Sequence, residues 1–264
     1  MHTKESLIND LKNMGLTGTE AIMVHSSMKS IGEVEGKADT VVDAFMEFFA
    51  EGLFMTPAHT WAQMKGDYLT FDPATEPACV GIIPNIFRTR PGVVRSLHPT
   101  HSIAAYGKTA EEFIKGEENA TSPCTPGCCW DRLREVDAKI LLLGVTHGRN
   151  TFIHSVDEAL GIQDRLTDET TLMHIVMPDG SMKDVNMYRH FNRFMGTGSF
   201  SDCFDKMKRA FYDLGAATPV KFGDADCILC DAKKIFEVCK KLFSIEETCI
   251  IEREEIPEAW WKNE

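Results

Sequence analysis

The sequence lacks the features of membrane, secreted and nucleic-acid-binding proteins. No apolar run approaches the about 18 residues of a spanning helix, and Met1–Asp10 has no basic region followed by an apolar core, as a secretory signal would. Basic residues are in deficit, with 28 Lys and Arg against 40 Asp and Glu and a net charge of −12. This balance argues against an anionic membrane or a nucleic acid as partner. We therefore expect a cytoplasmic protein that contacts neither.

Recognisable disulfide and zinc patterns are also missing. The nine cysteines are an odd number in a long chain, which is more typical of reduced thiols than of a disulfide framework. Cys227 and Cys230 have C-x-x-C spacing but no second ligand pair, and the group Cys124, Cys128 and Cys129 has no matching histidines. We interpret Cys227 and Cys230 as buried small residues and predict no bound metal at either group.

The pattern of hydrophobic residues predicts an α/β fold in a single domain covering residues 1–264. Helical spacing at Leu7–Met14 alternates with short apolar strands, of which Lys139–Val145 is the clearest. The turn signal Pro178–Ser181 lies between two strand-like segments and predicts an antiparallel hairpin late in the chain. We expect a central mixed β-sheet flanked by helices, with this antiparallel hairpin later in the chain.

Two loops have the composition of binding segments. The segment His25–Gly36 offers glycines, serines and a following helix to an anion, although it is neither a P-loop nor a dinucleotide motif. The loop from Ala58 to about Val80 is too long for a simple connection, which is typical of lids and binding loops. A third segment, His98-Pro-Thr-His101, is a rigid turn that could hold two imidazoles for acid–base chemistry.

Several motifs in order along the chain resemble one enzyme family. They are His25-Ser-Ser-Met-Lys-Ser-Ile-Gly32, Gly36-Lys-Ala-Asp-Thr-Val-Val42, Phe54-Met-Thr-Pro-Ala58, Phe71-Asp-Pro73, Gly81-Ile-Ile-Pro84, Arg95-Ser-Leu-His-Pro-Thr-His-Ser-Ile-Ala-Ala-Tyr-Gly107, Ile140-Leu-Leu-Leu-Gly-Val145 and Thr151-Phe-Ile-His154. Together they resemble the aminoglycoside 3-N-acetyltransferase family from about Leu11 to Leu242. The resemblance implies transfer of an acetyl group from acetyl-CoA to a small-molecule amine, with no metal.

The resemblance also implies a set of cofactor contacts. The first loop would hold the pantetheine and phosphates of CoA, and a second group would line the same channel. The residues concerned are Ser26, Ser27, Met28, Lys29, Ser30 and Gly32 in the loop, and Ser96, His98 and Ser102 in the channel.

The motif Thr151-Phe-Ile-His154 matches the catalytic histidine motif of that family. Independently of the match, His154 falls early in a predicted helix, where the helix dipole favours a neutral imidazole and hence a general base. Asp157 and Glu158 follow at i+3 and i+4, on the same helix face, and either carboxylate could orient the ring. The family has glutamate where this chain has Asp157, so both acids stay open.

A second departure concerns the acceptor. Where aminoglycoside-modifying members carry acidic residues after the hairpin, this chain has Arg189, His190 and Arg193, which would repel a polycation. We assign His190, together with Asp67 and Asp72 of the long loop, to acceptor binding. We also expect weak turnover of 2-deoxystreptamine antibiotics.

Two other kinds of protein stay open, and a homodimer is possible. One is a metal-dependent hydrolase that uses the histidines His59, His98, His101 and His147. The other is a non-catalytic CoA-binding or sensor protein that has lost its acceptor site.

Overall fold

The computed structural model describes residues 1–191 and 200–262. In that part of the chain the strands β1 to β10 are Ala21–Ser26, Leu53–Pro57, Thr70–Phe71, Val94–Arg95, Ile103–Gly107, Lys139–Leu143, Thr171–Val176, Met182–Met187, Ala217–Phe222 and Ala225–Asp231. The helices α1 to α10 are Lys4–Asn13, Lys37–Phe48, Ile82–Phe87, Ala110–Phe113, Cys129–Glu135, Phe152–Leu160, Lys208–Asp213, Ala232–Ile245, Cys249–Glu252 and Ala259–Lys262. Short 3-10 helices cover Met28–Ile31, Glu117–Asn119, His147–Arg149 and Phe200–Met207.

The central sheet is mixed and has the strand order β4-β5-β2-β1-β6-β10-β9. Strand β1 pairs in parallel with β2 on one side and with β6 on the other, whereas the outer pairings are antiparallel. The predicted mixed α/β sheet is confirmed. The predicted hairpin is also present as β7 and β8, which form a separate three-stranded sheet with β3.

Helices cover both faces of the central sheet, and the alternation of side chains along its strands explains why. In β1, Ile22 and Val24 belong to the core beneath α1, α2 and α3, whereas Met23 belongs to the core beneath α5, α6 and α8. A strand buried on both faces needs an unbroken apolar run, as Lys139–Leu143 has after its first residue. On the first face the ring of Phe45 stacks on Phe54 with centroids 5.0 Å apart.

No helix of the described residues combines the length and the apolar character needed to cross a membrane. The nine cysteines are free thiols, and all except the partly exposed Cys79 are buried. Burial raises the pKa of Cys230 beyond its ordinary range, which suits a small core residue rather than a reactive thiolate.

Candidate active site

A cavity of about 620 Å³ lies at one edge of the central sheet. Because β1, β2 and β6 run in parallel, their carboxyl ends meet at this edge. Strand β5 runs antiparallel to β2 and pairs Ile103 with Pro57, so the turn before β5 reaches the same edge. The cavity is lined by residues that follow or precede these strands, among them His25, Ser26, Pro57, His59, Thr100, His101, Val145, Asn150 and Thr151.

Four imidazoles form a continuous row along the cavity wall. The ring centroids of His59 and His101 are 4.6 Å apart, those of His101 and His190 are 5.0 Å apart, and those of His190 and His154 are 4.0 Å apart. Burial lowers the pKa of His59, His101 and His154 well below its ordinary value, and the neighbouring histidines lower it further. These three rings are therefore neutral at pH 7, which is the state in which a histidine can act as a general base.

His154 occupies the first turn of α6, as the sequence predicts, and its half-buried ring borders the cavity. The ring stacks on His190 with an interplanar angle of 24°. Its centroid lies 4.8 Å from that of Phe204, in an edge-on arrangement. Within residues 1–191 and 200–262 its ring nitrogens make no hydrogen bond with another side chain or backbone group. Proton acceptance by this ring would therefore break no existing bond.

The two carboxylates that follow His154 on α6 point elsewhere. The buried side chain of Asp157 faces Arg165 at 3.9 Å, and burial raises the pKa of this carboxyl well above its usual range. Glu158 accepts hydrogen bonds from the Cys124 N–H at 2.9 Å, from the Ser122 hydroxyl and from His190 Nε2 at 3.3 Å. Glu158 thus reaches His154 only through the ring of His190 that stacks on it.

The loop assigned to CoA begins at the cavity. Ser26 lines it, and Ser27 to Ser30 form a tight turn in which the Ser27 N–H donates to Leu143 at 2.9 Å. The Ser30 hydroxyl donates to Ser27 Oγ at 3.0 Å. Gly32 ends this turn at φ 85°, and Met28 and Lys29 lie within it, outside the cavity lining.

Ser96, His98 and Ser102, the second group assigned to the cofactor channel, lie behind the residues that line the cavity. The His98 ring is buried, with Nε2 donating to the Ser122 carbonyl at 2.9 Å and Nδ1 accepting from the His101 N–H at 2.9 Å. The buried Ser96 hydroxyl accepts from the Ile103 N–H, and that of Ser102 donates to the Ala58 carbonyl at 2.7 Å. In the structure these side chains hold the turn in place and leave few polar atoms for a ligand.

The residues assigned to acceptor binding separate in the structure. His190 borders the cavity, whereas Asp67 is exposed outside it and Asp72 accepts bonds from Ala74 and Thr75 within its own turn. The long loop still contributes to the site through His59, Trp61, Cys79 and Val80. Arg193 lies outside the described residues.

Two polar groups at the cavity were not assigned to acetyl transfer from the sequence: Asn150 had no role there, and His59 was considered only as a metal ligand of the hydrolase alternative. The Asn150 side chain is buried, and both of its amide atoms lack a hydrogen-bond partner among the described residues. The same holds for His59 Nδ1, whereas His59 Nε2 lies 3.1 Å from Thr151 Oγ1. Buried polar atoms without partners are rare and mark sites where a ligand can bind. The position of Asn150 directly after an apolar strand and a short turn was the available signal.

The four histidines of the hydrolase alternative do not form a metal centre in the described part of the chain. His98 uses both ring nitrogens, and His147 lies apart from the row, against Phe211 at 4.9 Å. Among the described residues, the group with ligand atoms close enough to share an ion is Cys124, Glu158 and His190, within 4.8 Å.

Comparisons with known proteins agree on one family. A family model described as aminoglycoside 3-N-acetyltransferase matches residues 23–244. The chain is 33% identical to aminoglycoside N(3)-acetyltransferase IV of Salmonella sp. over 154 residues, 57% of each chain. It is 27% identical to aminoglycoside N(3)-acetyltransferase III of Salmonella sp. over 261 residues, 89% of each chain.

Solved structures share the fold. The apoenzyme of aminoglycoside acetyltransferase AAC(3)-IVa aligns with a TM-score of 0.75 at 24% identity, covering 95% of this chain and 92% of that one. AAC-IIIb in its binary complex with CoASH also has a TM-score of 0.75 at 24% identity, covering 90% of this chain and 94% of that one.

Proposed function

Since the chain belongs to the aminoglycoside 3-N-acetyltransferase family, we propose that its cavity is where an amine attacks the thioester of acetyl-CoA and that His154 is the general base. The chain is an acetyl-transferring enzyme with acetyl-CoA as cosubstrate. The observation that carries the proposal for His154 is its neutral ring, which borders the cavity without a hydrogen-bond partner among the described residues.

In this proposal each wall of the cavity has a separate task. The turn at Ser26 meets the edge where β1 and β6 end, which suits the binding of CoA. The amine nitrogen attacks the thioester carbonyl carbon while His154 takes a proton from the amine. The C–S bond then breaks, and the departing thiolate takes that proton, so that CoA leaves as the thiol and His154 is neutral again. The unpartnered amide of Asn150 is a suitable donor to the oxyanion that develops on the carbonyl oxygen.

Acetyl-CoA should stabilise the folded protein, because a ligand that binds only the native state raises its unfolding free energy. A thermal-shift titration with desulfo-CoA, which cannot react, measures this binding alone. The melting temperature should rise with concentration, as most contacts are expected with pantetheine and phosphates. Failure of millimolar CoA to shift it would refute CoA binding, and a shift without transfer to any amine would favour the CoA-sensor alternative.

Removal of the base should abolish most turnover. We expect His154→Ala to lower kcat by about 10²–10⁴-fold in a thiol-release assay while CoA affinity changes little. His174→Ala is the matched control, because His174 lies on β7 outside the cavity and contacts Asp184. If His154→Ala keeps most of its turnover, another group must take the proton.

The same assay separates the two acids of α6. We expect Glu158→Gln to cause the larger loss of kcat, because Glu158 contacts His190, which stacks on His154. Asp157→Asn should change kcat little, because the carboxyl faces Arg165 and its raised pKa favours the uncharged form that asparagine resembles. Equal small losses of kcat would mean that neither acid acts on the base.

A further inference from the structure

The cavity has no acidic side chain among the described residues that line it. Its ionisable lining consists of Arg149, Arg189, Cys79 and five histidines. Glu158 lies nearby, but its side chain is 4% exposed and its oxygens already accept three hydrogen bonds. The described lining therefore presents no free carboxylate with which a cationic acceptor could pair.

Arg189 is the feature of this lining that points to a ligand. Its half-buried guanidinium donates from Nη1 to the Met64 carbonyl at 2.6 Å and from Nη2 to the Trp61 carbonyl at 3.1 Å. It forms no ion pair with a carboxylate of the described residues. Burial lowers the pKa of Arg189, but an arginine stays charged near neutral pH. A guanidinium has five N–H groups, so donors remain for an anion after these two bonds.

The position of Arg189 places this charge on the acceptor side. Arg189 immediately precedes His190, whose ring stacks on His154, and its carbonyl partners belong to the long loop after β2. Arg149, in contrast, lies on the 3-10 helix that follows β6, next to the edge where Ser26 meets the cavity. Arg149 thus lies on the side of the cavity to which the proposed function assigns CoA, whereas Arg189 lies beside the ring that stacks on the proposed base.

We infer that the acceptor is an amine that carries an anionic group, a carboxylate or a phosphate, which pairs with Arg189. This inference rests on the proposed acetyl transfer at His154. An anion at Arg189 forms charge-assisted hydrogen bonds and neutralises a partly buried cation. A polycation would instead meet a guanidinium in a partly buried site, where repulsion is screened less than at the surface.

The test compares matched amino sugars that differ in charge. Glucosamine is the reference without an anionic group. Glucosamine 6-phosphate and 2-amino-2-deoxyglucuronate carry a phosphate or a carboxylate at C6 of the same ring, and gentamicin represents a polycation. With saturating acetyl-CoA, thiol release should give an anionic member a kcat/KM at least about tenfold above both glucosamine and gentamicin. The two anionic members tell a phosphate preference from a carboxylate preference.

Separate substitutions of Arg189 and Arg149 show which arginine causes the preference for anionic sugars. Arg189→Met should bring the ratio of kcat/KM for the anionic sugar over glucosamine close to one. Arg149→Met should raise the KM for acetyl-CoA and preserve that ratio. A thermal shift with CoA bound provides a readout without chemistry: the anionic sugar should raise the melting temperature more than glucosamine, and Arg189→Met should remove the difference.

Three results would overturn the inference. The first is a higher kcat/KM for gentamicin than for the anionic sugars, and the second is a kcat/KM for the anionic sugars that does not exceed that of glucosamine. The third is an Arg189→Met variant in which only the KM for acetyl-CoA changes. Any of them, with thiol release still observed for some amine, refutes the acceptor class and leaves acetyl transfer intact. Absence of both CoA binding and thiol release would instead refute the proposed function.

Discussion

Replacing His147 by leucine tests how strongly burial controls the histidines of this protein. Its ring lies in the core against Phe211, and both ring nitrogens are buried without a hydrogen-bond partner. The pKa of His147 is lowered from 6.5 to about 4, mainly by burial, with Asp205 partly opposing and Lys208 adding to the decrease. The native protein therefore takes up this proton much less readily than the unfolded chain does.

The sign and size of the effect on stability follow from this difference. Above pH 6.5 neither state binds the proton, so the contribution of His147 is fully present. As the pH falls from 6.5 toward about 4, the unfolded chain binds a proton that the native state does not, and stability is lost. The unfolding free energy falls by about 1.4 kcal/mol per pH unit in this range, which amounts to a loss of about 2.5 kcal/mol at pH 4.5.

Denaturant unfolding of wild type and His147→Leu between pH 7.5 and 4.5 measures this contribution. The variant should gain about 2.5 kcal/mol relative to wild type across that range, whatever its stability at pH 7.5. Taking the difference cancels other titrating groups such as Asp157, whose raised pKa acts in the opposite direction. Phe222→Leu, a buried non-titrating substitution in the other core, should give a difference independent of pH. A His147→Leu difference that does not change with pH would refute the reasoning.

Two further substitutions test the cavity wall. Asn150→Ala should lower kcat by about 10²-fold with little change in acetyl-CoA affinity, since it removes a donor aimed at the developing oxyanion; a normal kcat would remove Asn150 from that role. Gly144→Ala should lower the melting temperature and weaken CoA binding, because Gly144 has φ +64° and a Cβ there would collide with Ser30. Gly180→Ala, with φ +82° and open space around its Cβ position, is the control for backbone strain alone, and equal effects of both variants would contradict the collision.

Local sequence signals predicted the elements that depend on local chemistry. Lys139–Leu143 is a buried strand because its apolar run suits burial on both faces, and the hairpin follows from the turn residues between its strands. Strand β9 was missed, because Pro219 argues against a strand in the sequence. In the structure β9 is an edge strand, where the missing N–H of proline is tolerated.

The composition of the site could be predicted only in part, because distant segments build it. The sequence indicated His154 and the loop at Ser26, which both lie at the cavity. The i+3 and i+4 spacing placed Asp157 and Glu158 on the face of His154, but tertiary partners turned them away. The N–H of Cys124, 34 residues before Glu158, and buried Arg165 decide where these carboxylates point.

Because Asp157 and Glu158 point away from His154, the net charge of the chain does not predict the charge of the acceptor. Glu158 is enclosed by three hydrogen-bond donors, so its oxygens are not free for a ligand, and the raised pKa of Asp157 favours its uncharged form. Exposed acids farther than about 10 Å away are largely screened at physiological salt. The net charge of −12 therefore acts mainly on solubility. An acceptor at His154 meets the local field of the lining, in which Arg189 is the fixed charge beside the proposed base.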